Sequence, residues 1–126
     1  MKEQLIIKRS EWYRGHGGAD SCLYIDGREV FCCLGLYGRD VCKIPKYNMA
    51  GIADSIEYNK SYTAYDDYKG IPNFPDWMKT GNNPNDYDIL CKIIRVNDNP
   101  EISNADREAE LTRLFALKDI EVTFVD

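Results

Sequence analysis

A single histidine, His16, in 126 residues leaves little room for imidazole chemistry, and none of the common enzyme signatures stands beside it. The chain has no Walker loop, no dinucleotide glycine fingerprint, no HExxH, no GxSxG and no carboxylate pair at a diagnostic spacing, so catalysis is not indicated. Basic residues are in the minority, 16 Lys and Arg against 21 Asp and Glu for a net charge of −5, which argues against broad adhesion to nucleic acid or to anionic lipid. No run approaches the roughly 18 apolar residues of a membrane span. Met1-Lys2-Glu3-Gln4 passes straight into a short Leu-Ile-Ile run without a signal-peptide core, so a cytoplasmic protein is expected. The five cysteines, at positions 22, 32, 33, 42 and 91, contain no CxxC pair. Free and mostly buried thiols are expected from that spacing, with neither a disulfide framework nor a metal centre, and no cofactor is implied.

The chain length suits one domain, 1–126, able to bury a core without staples. Its organising stretch is Ser21–Gly38. Asp26-Gly27 sits between two short apolar runs and supplies turn residues, which predicts an antiparallel hairpin over Cys22–Phe31. Cys32-Cys33-Leu34-Gly35 then reads as a closely packed corner where a strand gives way to a helix or bend. Upstream, Gln4–Lys8 has the length and apolarity of a strand, and Ser10 is placed to cap one helical turn before Gly15, Gly17 and Gly18. Met49–Ile56 has weak helical spacing. The tyrosines at 58, 62, 65 and 68 lie in a polar, proline-marked segment that either packs its own aromatics or carries function.

The last third is more regular. Tyr87–Val96 carries Ile89, Leu90, Ile93 and Ile94 at helical spacing, and Asn104–Lys118 carries Leu111, Leu114 and Phe115, with Ser103 and Asp106 at capping-box spacing. Ile120–Val125 alternates as a half-buried strand. These elements predict an α+β fold: an antiparallel sheet made of the N-terminal strand, the hairpin and the C-terminal strand, packed against the two C-terminal helices.

Polar residues gather where those helices meet: Arg95, Asn97, Asp98, Arg107, Glu110 and Arg113. Arginine presents a planar fork for phosphate oxygens, while Asn97 and Asp98 can donate to and accept from a ribose or base edge. The plainer reading is a solvent-facing Arg107–Glu110 pair worth a few tenths of a kcal/mol. Arg107 and Arg113 are six residues apart on one helix and so point roughly 120° apart. A ligand bound by both must therefore sit in a groove beside the helix or contact two subunits. Trp12 and Arg14, displayed at a bend, complete the candidate ligand-binding set, although the large apolar area of Trp12 is more often a core anchor than a ligand platform.

Trp12 and Gly15, Leu23-Tyr24 before Asp26-Gly27, Cys32–Gly35, Asn97-Asp98, Arg107-Glu108 and Val122–Val125 together resemble a family of small phage and prophage proteins. Within phage biology the chain is similar to the Thoeris anti-defence 1 type of immune-evasion protein. That resemblance implies a homo-oligomeric sponge that binds a cyclic ADP-ribose isomer without cleaving it. Its pockets would lie between subunits, with arginines on the pyrophosphate and an aromatic on the adenine. Two other classes stay open: an acidic protein-binding inhibitor of a host nuclease or defence complex, and a small nucleotide-processing hydrolase using His16.

Overall fold

The computed structural model describes residues 2–17, 22–52, 71, 73–79 and 84–126. In chain order it contains β1 (Glu3–Lys8), α1 (Cys33–Asp40), α2 (Asp76–Lys79), α3 (Pro84–Asp98), α4 (Asn104–Ala116) and β2 (Ile120–Val125), with 3-10 turns at Arg9–Glu11 and Lys46–Asn48. Residues 53–56 of the expected Met49–Ile56 helix and the tyrosines at 58–68 lie outside the described residues.

The two strands form as their sequences dictate, but the sheet is not the one expected. β1 turns Leu5 and Ile7 into the core and Ile6 outward, and β2 buries Ile120 and Val122. They pair in parallel, Leu5 beside Val122 and Ile7 beside Phe124, as a two-stranded sheet. The expectation of an antiparallel sheet is therefore corrected. No tight turn links these strands, so nothing local imposes antiparallel pairing. α4 runs back over the sheet, the chain reverses through Asp119 in the left-handed region (φ 58°), and β2 starts beside Glu3, whose N–H donates to the Asp119 carbonyl at 3.0 Å.

The hairpin is corrected as well. The Asp26-Gly27 turn exists, with Gly27 at φ 88° and Glu29 at φ 55°, but only Ile25 and Val30 pair across it as a bridge. Its arms take other partners. Phe31 bonds to Glu11 and Tyr13, while the Leu23 N–H reaches the Ile52 carbonyl and the Gly51 N–H reaches Tyr24. The arms stay in contact, through the Cys32 N–H to the Cys22 carbonyl (3.3 Å) and the Tyr24 and Phe31 rings (4.7 Å), but their remaining main-chain groups bond elsewhere and no hairpin strands propagate. Ser10 makes no side-chain cap on the turn at Arg9–Glu11.

The helices follow their signals more closely. α3 opens on Pro84, tolerated where the N–H would be unbonded anyway, with Asp86 in the first turn and Arg95 in the last, complementing the helix dipole. It buries Leu90, Cys91, Ile93 and Ile94. α4 is capped by the Ser103 hydroxyl, which accepts the Asp106 N–H at 3.1 Å, and buries Leu111, Leu114 and Phe115. Lys118, just past α4, pairs with Asp86 of α3 and lies 5.7 Å from the Trp77 ring centroid. α1 starts at the Cys32-Cys33-Leu34-Gly35 corner, where the Cys32 sulfur accepts the Gly35 N–H. It packs so close to the preceding chain that a β-carbon on Gly35 would lie 1.7 Å from the Leu23 carbonyl oxygen. Cys32, Cys33 and Cys91 are buried, and burial pushes the half-buried Cys42 thiol up to about 11.

Candidate functional site

The C-terminal end of α3 exposes main-chain carbonyls that have no partner within the helix. Two elements satisfy them. Arg107, one turn into α4, donates Nη1 to the carbonyls of Val96 (2.7 Å), Asn97 (3.3 Å) and Asn99 (2.8 Å), Nη2 to Ile102 (3.1 Å), and Nε to Asn104 Oδ1 (3.4 Å). The N-terminal loop supplies the other donors: the Gly15 N–H bonds to the Asn97 carbonyl and the Gly17 N–H to Asp98, both at 2.8 Å. Gly15 sits at φ 72°, and a β-carbon there would stand 2.9 Å from Arg107 Nη2, so a glycine is needed for both conformation and clearance.

Asn97 is the hub of this node. Its side chain is 0% exposed, and all its polar capacity is spent inside the protein. Oδ1 accepts from Trp12 Nε1 (2.7 Å) and the Cys33 N–H (3.1 Å), while Nδ2 donates to the Tyr13 carbonyl (3.2 Å) and to Asp98 Oδ1 (2.9 Å). Trp12 is buried with its ring 5.1 Å from Phe124. Trp12, Gly15, Cys33, Asn97, Asp98 and Arg107 thus meet in one place, with Phe124 against the Trp12 ring.

The candidate residues separate into three groups. Asn97, Asp98, Arg107 and Trp12 come together, but Arg107 is only 2% exposed and directs its fork at main-chain oxygens. Arg113 stands apart on the exposed side of α4, bonded to Glu110 at 2.9 Å; Glu110 therefore pairs with Arg113 and not with Arg107. Arg95 is exposed on α3. Arg14 is the third case. Its guanidinium lies 4.5 Å over the Trp12 ring and donates Nη1 to the carbonyls of Arg9 (3.1 Å) and Trp12 (3.0 Å), while its buried Nε has no hydrogen-bond partner among the described residues.

The node holds one buried carboxylate, Asp98, bonded to the Asn97 side chain. Among the described residues neither Arg14 nor Arg107 has a carboxylate at ion-pair distance. Burial lowers the pKa of both, Arg14 further lowers that of Arg107, and Asp98 and Glu108 offset only part of this. The Glu108 carboxylate is already held by Arg9, with Nε at 2.8 Å and Nη2 at 2.7 Å, and Arg9 also reaches Asp126. Residues that the sequence reading did not place in the site border it: Arg9 and Glu108, and Tyr13, which stacks on His16 (4.4 Å) under Arg28 (5.2 Å). Only Glu108 had a signal, through the Arg107-Glu108 pair.

The fork from Arg9 holds the Glu108 carboxyl below the usual carboxylate range. A folded-state pKa depressed in this way contributes stability above the unfolded pKa and loses it as pH falls through the folded one. After discounting for solvent screening the contribution is roughly 0.5–1 kcal/mol. In urea titrations across the acid range Glu108→Gln should lose less stability on acidification than the wild type; equal losses would contradict the assignment.

Searches against protein-family models, curated proteins and solved structures find no match for this chain. Among the described residues no helix is long and apolar enough to cross a membrane, and no group of three or more His, Cys, Asp or Glu is placed to hold a metal ion.

Proposed function

We propose that the protein binds a phosphate-bearing nucleotide signal of the cyclic ADP-ribose or cyclic dinucleotide kind and holds it without turnover, acting as a phage anti-defence sponge. The observation that carries this reading is the pair of guanidinium groups at the node, Arg14 and Arg107, with no carboxylate at ion-pair distance among the described residues. Charge taken out of water without a counter-ion is costly, so a site of this kind favours an anion. Arg107 supplies field, since its donors are taken by carbonyls. Arg14 supplies the contact, at the half-buried edge beside Trp12 and the Gly15–Gly17 loop. His16, exposed and stacked on the buried Tyr13, offers a face for a base. Arg113 and Arg95 lie on exposed helix surface and play at most a peripheral part in this arrangement.

The test is to incubate the protein with a panel of cyclic ADP-ribose isomers and cyclic dinucleotides, remove free ligand, release the bound fraction by heating and identify it by mass spectrometry. Intact ligand recovered in proportion to protein is the expected outcome. Altered ligand would assign an enzyme, and an empty protein would remove the nucleotide reading.

A further inference from the structure

We propose that the free edge of β1 pairs with itself, joining two copies of this chain antiparallel about Ile6 into one four-stranded sheet. In a parallel pair, alternate residues of each strand turn their main-chain groups to the partner. The Glu3 N–H donates to Asp119, so Glu3, Leu5 and Ile7 face β2, and Gln4, Ile6 and Lys8 direct N–H and C=O the other way. Among the described residues no strand pairs with that edge, and no main-chain bond reaches those three residues. Unpaired strand edges are templates for another strand. Ile6 is also 55% exposed, a large apolar side chain in the middle of the strand.

The side chains fix the occupant and the register. A two-fold axis perpendicular to the sheet keeps each copy's buried face on the same side, so the apolar stripes of Leu5 and Ile7 remain over the core. Centring the axis on Ile6 places Ile6 opposite Ile6 of the second copy and Gln4 opposite Lys8. Each of these outward residues then exchanges N–H and C=O bonds with its opposite number. Gln4 already bonds Glu121 of β2 at 3.4 Å, so Lys8 from the second copy comes to lie across from a carboxylate on the same exposed face. A slip of two residues toward the N-terminus would set Lys2 opposite Lys8, like charge on like charge, which disfavours the neighbouring register. The partner with this complementarity is a second copy of the same strand.

Six-residue strands pair over a small area, so the association is expected to be modest and is best read at high micromolar concentration. By light scattering after gel filtration the wild type should approach twice the 14.5 kDa chain mass. Ile6→Lys sets two cations together at the axis without touching the core and should weaken dimerisation at least ten-fold while leaving the circular dichroism spectrum unchanged. Ile6→Cys should form a covalent dimer under mild oxidation, because main-chain-bonded antiparallel pairs bring their Cα atoms to about 5.5 Å, within disulfide range. A wild type that is monomeric at high concentration, an Ile6→Lys variant that dimerises as well as wild type, or an Ile6→Cys variant that cross-links no faster than wild type would each overturn the proposal.

Discussion

Gly35→Ala should leave little folded protein. The added methyl would lie 1.7 Å from the carbonyl oxygen of Leu23, a main-chain atom that cannot swing aside as a side chain would. Either α1 or the Leu23 segment must move by more than an ångström. Leu23 is tied to Ile52 by its N–H, and α1 is tied to β1 through Tyr37, whose hydroxyl donates to Glu3 at 2.8 Å. Overpacking within a close-packed core typically costs about 1–3 kcal/mol, and a clash with backbone belongs at or beyond the upper end of that range. Against a total stability on the order of 5–15 kcal/mol, the loss should appear as a large drop in the urea midpoint or as insoluble expression. Gly27→Ala is the companion control: nothing lies within 4 Å of its added methyl, so only the left-handed backbone (φ 88°) resists the change. If Gly35→Ala were no worse than Gly27→Ala, the close approach of α1 to Leu23 would be wrong.

Arg107→Ala is expected to have the second-largest effect, and to have it on stability. Removing the guanidinium leaves the part-buried carbonyls of Val96, Asn99 and Ile102 without their charged donor. Hydrogen bonds from charged groups are worth roughly 1.5–3 kcal/mol each, though not additively, so a total near 3 kcal/mol or more is expected in urea unfolding. Arg107→Lys should recover only a small part, because an ammonium cannot reproduce a planar fork spread over several acceptors. Arg113→Ala removes a solvent-exposed pair with Glu110 and should leave stability close to that of the wild type. Equal stability of Arg107→Ala and Arg113→Ala would contradict the buried role of Arg107.

These two arginines show what the sequence could and could not convey. Spacing set them roughly 120° apart on the helix but did not say that Arg107 is buried and Arg113 exposed. The partners of Arg107 are main-chain carbonyls, and carbonyls have no sequence signature. Asn97 was legible only as a polar residue where the two C-terminal helices meet. That it is buried follows from contacts with Trp12 and Cys33, which are 85 and 64 residues away in the chain. Local signals fared best where the physics is local: the Ser103 cap, the apolar stripes of α3 and α4, and the alternation of β2. Strand direction failed because it depends on how α4 returns over the sheet. The hairpin failed because its turn is locally favourable while its arms find better partners in Glu11, Tyr13 and Ile52.

The account's central claim is that anion-binding capacity at the node belongs to Arg14, with Arg107 held inside as structure. The direct measurement is calorimetric titration of wild type, Arg14→Gln and Arg113→Ala with the tightest-binding member of the cyclic nucleotide panel. Gln at position 14 keeps a donor for the Arg9 and Trp12 carbonyls while removing the charge, so the fold can be verified by circular dichroism beforehand. Loss of one charge-assisted contact of about 1.5–3 kcal/mol should weaken Arg14→Gln roughly ten- to hundred-fold, with Arg113→Ala close to wild type. Wild-type affinity in Arg14→Gln, or a loss confined to Arg113→Ala, would contradict it.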